Sequence, residues 1–174
     1  MNIKDFIAEI QDFPKEGISF KDITPILQEP KAFKYVVSKF TEFGKKVNAD
    51  VVVGPEARGF LFGVPTALDL SVGFVPVRKP GKLPRAVETA TYALEYGTDS
   101  LCIHKDSIKP GQRVLIVDDL LATGGTLGAT IELIERLGAE VVGCAFVIEL
   151  VGLPGREVLE GHEVLALTQY EVSE

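Results

Sequence analysis

The sequence has no tryptophan, one methionine, two cysteines and two histidines. Cys102 and Cys144 are not spaced as a pair and neither is close to a histidine, so a zinc site built by the protein is not expected. So few cysteines also argue against a disulfide framework and point to a reduced, cytoplasmic protein. Long apolar runs are missing as well. The longest stretch free of charged residues is the twelve positions 120–131, rich in glycine and threonine, whereas a membrane-spanning helix needs roughly 17–25 apolar residues. Basic charge is in deficit, with 18 Lys and Arg against 25 Asp and Glu, net −7. A surface built to bind nucleic acid is usually basic, and none is expected here. The opening MNIKDFIAEIQDF carries Asp5, Glu9 and Asp12 where a secretory leader is basic and then apolar.

What remains is a chain of 174 residues, 46% hydrophobic and 25% charged, long enough for one domain with a core that needs no metal or disulfide. Ile3, Phe6, Ile7 and Ile10 behind Asn2 form a stripe at i, i+3, i+4 and i+7, which predicts a short helix ending near Pro14. Phe33, Val36, Val37 and Phe40, extended by Phe43 and Val47, predict a second helix. Between the two, FPKEGISFKDITP (13–25) is rich in turn formers and has no clear period. From residue 50 the rhythm changes to short apolar runs, VVVG (51–54), VGFVPV (72–77), RVLIV (113–117) and EVVGCAFVIEL (140–150), separated by helix-length segments. Runs apolar at nearly every position suit strands buried on both faces, so an α/β fold with a parallel sheet is expected. Leu127, Ile131, Ile134 and Leu137 mark one helix of that sheet, stopped at Gly138. TATYALEYG (89–97) and SLCIH (100–104), joined by Thr98-Asp99, predict an antiparallel ribbon projecting from it.

Ligands of open α/β sheets bind beyond the carboxyl ends of the strands, and there the segment VLIVDDLLATGGT (114–126) stands out. A buried strand ends in two carboxylates, and a Thr-Gly-Gly-Thr turn opens the next helix. Backbone N–H groups at a helix N-terminus, approachable because of glycine, form a phosphate cradle, and Thr123 and Thr126 add hydroxyl donors. Asp118 and Asp119 would repel phosphate and must face something else, sugar hydroxyls or a divalent cation. The loop lacks the Gly-Lys-Ser/Thr ending of a P-loop, and Gly124, Gly125 and Gly128 do not fit G-x-G-x-x-G.

VLIVDDLLATGGT resembles the phosphoribosyl pyrophosphate (PRPP) motif of the type I phosphoribosyltransferases. With Leu-Leu-Ala between the acids and Thr-Gly-Gly-Thr, it is similar to that of the adenine-specific enzymes of the family. FPKEGISFKDITP, GPEARGFLFG (54–63), VRKPGKLP (77–84) and LEYG (94–97) resemble other segments of the same enzymes in the same order, and GRE (155–157) and TQYE (168–171) are compatible with them. The resemblance implies a single type I phosphoribosyltransferase-like domain over 1–174. Within it, 1–30 would hold the first helix and the base-binding segment, and 78–106 a basic loop and a flexible catalytic ribbon. The implied reaction is purine salvage: adenine plus PRPP gives AMP and pyrophosphate, with Mg2+ held mainly through PRPP and water, in a homodimer.

Carried onto this chain, the resemblance places Ala122, Thr123, Gly124, Gly125 and Thr126 on the 5-phosphate and Asp118 and Asp119 on the ribose. Arg58, Arg78, Lys79 and Lys82 would face pyrophosphate, partly across the dimer interface. The last three belong, with Arg85, to a cluster of four bases within eight positions of an acidic chain, broken by Pro80, Gly81 and Pro84 into a loop. Glu95 would handle the proton on adenine N9, and Tyr96 would help close the loop against water. Ser19, Phe20 and Lys21 would bind adenine, Phe20 by stacking and the backbone near Ser19 by reading the exocyclic amine. Lys21 stands where the family often has arginine and cannot make arginine's planar bidentate contact. Other readings stay open at this stage: a relative acting on hypoxanthine, xanthine or orotate, a PRPP-sensing transcription regulator, a non-catalytic dimeric scaffold, or a flavodoxin-like nucleotide binder.

Overall fold

The computed structural model describes residues 1–94 and 96–172. Five parallel strands form the central sheet in the order β4-β3-β7-β8-β9: β3 (Val51–Pro55), β4 (Gly73–Val77), β7 (Arg113–Leu121), β8 (Glu140–Val151) and β9 (Val164–Glu171). Successive side chains of a strand point to opposite faces, and the apolar runs divide accordingly. Val52, Leu115 and Val117 pack with Val36 and Phe40 of α2 (Pro30–Lys46) and Phe62 of α3 (Arg58–Leu70). Val51, Val53, Val114 and Ile116 pack with Leu127, Ile131 and Ile134 of α4 (Gly125–Arg136) on the other face. Burial on both faces explains the lack of alternation in these strands. No helix among the described residues is long and apolar enough to cross a membrane.

The expected helix over residues 3–10 is a correction. Only Ile3–Phe6 is helical, as one 3-10 turn with Asn2 Oδ1 accepting from the Lys4 N–H (3.2 Å). The chain then forms β1 (Ala8–Gln11), paired antiparallel with β2 (Ser19–Asp22), so the stretch expected to be irregular contains a strand. A segment this short is a marginal helix on its own, and the backbone hydrogen bonds of the hairpin decide the outcome. Ile3 and Ile7 are buried, while Ile10 lies exposed on the hairpin. A five-residue α1 (Thr24–Gln28) leads into α2.

The ribbon is β5 (Val87–Ala93) with β6 (Thr98–His104). Its connection is shifted from the expected one: Thr98 and Asp99 lie within β6, Ala93 pairs with Thr98, and the Leu94 N–H donates to the Gly97 carbonyl (3.0 Å). Gly97, at φ 82, supplies the left-handed residue that this turn requires. The strand before the carboxylates is also longer than expected. Pairing of Leu120 with Ile148 and of Leu121 with Glu149 carries β7 past Asp118 and Asp119.

Candidate functional site

The sheet order reverses between β3 and β7. β3 is followed in sequence by β4 on one side, whereas β7 and the later strands lie on the other. Such a switch point leaves a crevice beyond the strand ends, because the connections leave it on opposite sides. A pocket of about 500 Å³ opens there, lined by Glu56, Ala57 and Arg58 after β3, by residues 118–121 of β7, by Ala122, Thr123 and Gly124, by the start of α4, and by Phe146 of β8.

At the α4 end, Gly124 has φ 88, which turns the chain into the helix. The first bond inside the helix runs from the Gly128 N–H to the Gly124 carbonyl (2.8 Å). The N–H groups of Gly125, Thr126 and Leu127 therefore precede the ladder at the positive end of the helix dipole, as an anion site requires. The five residues expected at the phosphate are together here.

The two carboxylates differ. Asp119 is 4% exposed, and its Oδ2 forms an ion pair with Arg58, 3.0 Å from Nε. Asp118 Oδ1 accepts from the Asp119 N–H (2.8 Å). Burial, and then the neighbouring Asp119 charge, push the Asp118 carboxyl well above its ordinary range, and Arg58 offsets this only in part. The site thus holds one ion-paired carboxylate beside one that resists ionisation. Arg58 also lies over the Phe20 ring, 5.6 Å from guanidinium carbon to centroid, which joins the N-terminal hairpin to the pocket. Phe13 packs edge-on against the same ring at 5.1 Å.

Among the described residues, the other expected site residues do not line the pocket. Arg78 Nε donates to Glu56 Oε1 (3.2 Å), which also accepts from the Lys79 N–H (2.8 Å). That backbone bond, followed by the Arg78 charge, holds Glu56 below the usual carboxylate range. The Lys79 ammonium is paired with Asp99 of β6 and donates to the Tyr92 hydroxyl (3.3 Å). The Asp99 contact keeps Lys79 charged and lowers Asp99. Lys82 is exposed, and Tyr96 is exposed at the ribbon tip. Glu95 lies outside the described residues. Lys21 donates to Glu9 Oε1 and to Ser19 Oγ, each at 2.8 Å, and its ammonium lies 4.6 Å from the Tyr170 ring centroid. It thus holds the hairpin to β9, with Ser19 in the same contact.

Sequence reasoning passed over Glu56 as a site residue, although the segment containing it was singled out; nothing in the spacing shows that Arg78 and Lys79 return to it. Phe146, Tyr92 and Asp99 carried no local signal either, since each is an ordinary strand residue until a distant element meets it.

A phosphoribosyl transferase domain model matches residues 26–159. The chain is 61% identical over 171 residues to the adenine phosphoribosyltransferase of Alkaliphilus oremlandii, covering 98% of this chain and 99% of that protein. Among solved structures, the adenine phosphoribosyltransferase from Thermoanaerobacter pseudethanolicus superposes with a TM-score of 0.93 at 54% identity, covering 97% of this chain and 98% of that one. The Saccharomyces cerevisiae adenine phosphoribosyltransferase, solved with an imino-altritol bisphosphate and adenine, gives 0.90 at 44% identity over 95% and 96% of the two chains. The chain belongs to the phosphoribosyl transferase family and, within it, to the adenine phosphoribosyltransferases.

Proposed function

We propose that this chain transfers the 5-phosphoribosyl group of PRPP to N9 of adenine, releasing AMP and pyrophosphate in purine salvage. The observation that carries the reading is the convergence, in one pocket at the switch point, of the free α4 N-terminus, the Asp118–Asp119 pair and Arg58. A phosphate at residues 122–126 would meet backbone N–H groups, the Thr123 and Thr126 hydroxyls and the helix dipole. The ribose would then reach Asp118 and Asp119. The negative charge of Asp119 favours the oxocarbenium character that develops as the bond from C1 to pyrophosphate breaks, and it raises the rate to the extent that it acts more strongly there than in the ground state.

Arg58 would face the departing pyrophosphate, with Arg78, Lys79 and Lys82 supplying further positive charge from the loop behind it. Phe20 would stack on adenine, an interaction worth about 1–3 kcal/mol per base in nucleic-acid-binding proteins, with Ser19 beside it. Lys21 would serve by bracing the hairpin. Glu95 would accept the N9 proton as C1 is attacked, and Tyr96 would close the ribbon over the site. Mg2+ fits the hard oxygen donors of this pocket. Coordinated mainly by PRPP and water near Asp118 and Asp119, it would neutralise charge on the leaving group.

The chain acts as one domain and, we propose, as a cytoplasmic homodimer. Leu61, Val64 and Leu68 form an exposed stripe at i, i+3 and i+7 on α3. Leu68 also lines a groove with Leu27, Phe33 and Val37, an apolar face suited to a second copy. Cys102 and Cys144 are buried free thiols, as suits a reducing compartment.

The test is PRPP- and Mg2+-dependent AMP formation from adenine, with hypoxanthine, guanine, xanthine and orotate in parallel and with Glu95→Ala beside the native chain. Turnover of adenine alone, strongly reduced by the substitution, is the expected result. Turnover of another base would overturn the assignment of Ser19 and Phe20, and no turnover with PRPP still bound would favour a sensor.

A further inference from the structure

Beneath the pocket lies a short helix whose residues the proposed chemistry does not use, α5 (Gly155–Val158). The Gly155 N–H donates to the Ala122 carbonyl (2.9 Å). A Cβ on Gly155 would collide with that carbonyl oxygen and stand 2.7 Å from Leu121 Cδ1. From the other side, a Cβ on Gly124 would stand 2.7 Å from Val158 Cγ2 and 3.2 Å from Gly155 Cα. Loop and helix touch with no spare room, so a shift in one moves the other.

A helix this short does not hold itself. Arg156 anchors it with two hydrogen bonds to Glu149 of β8, Nε to Oε2 at 2.7 Å and Nη2 to Oε1 at 3.0 Å. Gln169 Nε2 of β9 donates to the same Oε1 at 2.8 Å. The Glu149 side chain is 5% exposed and that of Arg156 50%, so the carboxylate is a fixed post to which a surface arginine is tied. Glu149 also stands opposite Leu121 in the β7–β8 register, immediately before the loop. Neither Glu149 nor Arg156 lines the pocket. A bidentate arginine–carboxylate pair fixes direction as well as distance.

We infer that Glu149 and Arg156 are positioning residues for the 5-phosphate: their ion pair, steadied by Gln169, holds α5 where Gly155 fixes Ala122 and aims the cradle's N–H groups. This rests on the reading of residues 122–126 as the phosphate cradle. It also gives the C-terminal strands a part in substrate binding, because Gln169 of the edge strand β9 is linked to the phosphate loop through three contacts in series.

The experiment compares the full native chain with Arg156→Gln, Glu149→Gln, Arg156→Lys and the double variant Thr123→Ala/Thr126→Ala. It measures the Kd for AMP by calorimetry and the separate KM values for PRPP and adenine. Misplacement of a binding loop by a fraction of an ångström to 1 Å is expected to weaken AMP binding and raise the PRPP KM by about 10- to 100-fold, leaving the adenine KM within about twofold. Arg156→Lys keeps the charge, loses the fork and falls between native and Arg156→Gln. If the threonine variant weakens AMP while Arg156→Gln and Glu149→Gln bind it as the native chain does, the positioning role is refuted and the cradle stands. If the threonine variant leaves AMP binding unchanged, the cradle reading fails and takes the inference with it. Parallel rises in both KM values for the two ion-pair variants would indicate general loosening and also refute the role. Should Arg156→Gln not fold, Arg156→Lys and Gln169→Ala make the same comparison.

Discussion

Gly59→Ala tests whether the close contact between α3 and β7 sets the catalytic geometry. A methyl group there would stand 2.8 Å from Pro55 Cδ, 3.0 Å from the Val117 carbonyl oxygen and 3.3 Å from Asp118 Oδ1. The first two neighbours are a ring and a backbone, neither of which can swing aside, so the start of α3 must lift from β7. Overpacking of this kind costs about 1–3 kcal/mol, and alanine's better helix propensity offsets about 1 kcal/mol of it. The net loss of about 0–2 kcal/mol corresponds, at about 2–4 °C per kcal/mol for a chain of this length, to a fall in Tm of about 8 °C at most. Activity should suffer more. Arg58 is the adjacent residue and its partner Asp119 lies on β7, so the lift separates groups that the proposed reaction uses together, and a displacement near 1 Å can cost about 100-fold. The assay is kcat/KM for PRPP well below Tm, with Gly73→Ala, where a methyl group meets nothing within 4 Å, as the control. If Gly59→Ala keeps kcat/KM within about twofold of native while Tm falls, the contact is only a packing detail and the reasoning is refuted.

Asp118 is held above its ordinary pKa of 3.8 by burial and then by Asp119. The folded chain therefore keeps a proton that the unfolded chain releases. The resulting stability is complete below the ordinary value and declines as pH rises through the raised one. Asp118→Asn should raise Tm more near pH 8 than near pH 4, as scanning calorimetry at the two pH values would show; equal shifts would contradict the assignment. Leu68, 76% exposed on the apolar stripe of α3, should become the weak point of a dimer when changed to glutamate. Sedimentation should then show monomers, and a native chain that already sediments as a monomer would remove the proposed interface. Lys21→Ala removes the contacts to Glu9, Ser19 and Tyr170. It should raise the KM for adenine severalfold with little change for PRPP, and a rise confined to PRPP would show that the hairpin does not carry the base.

What the sequence determined alone is what short-range pattern encodes. Apolar runs without alternation at 51–54, 113–117 and 140–150 required strands buried on both faces, and these are the three central strands of the sheet. The order of acids, glycines and threonines in 114–126 likewise made a helix-opening loop of the kind that suits an anion readable, because a strand end, a positive-φ glycine and free N–H groups are all local features. The tertiary structure decided whatever depends on partners far along the chain. Residues 3–10 have a helical stripe, yet only their first part is helical, because β2 offers residues 8–11 a hydrogen-bonding edge. Lys79 and Arg78 follow a strand and look like free loop charges, but Asp99 and Glu56 meet them from other elements. Glu149, Arg156 and Gln169 carry no motif between them and become one unit only when β8, α5 and β9 are side by side. Periodicity records which face of an element is buried; it holds no information about what the other elements bring to that face.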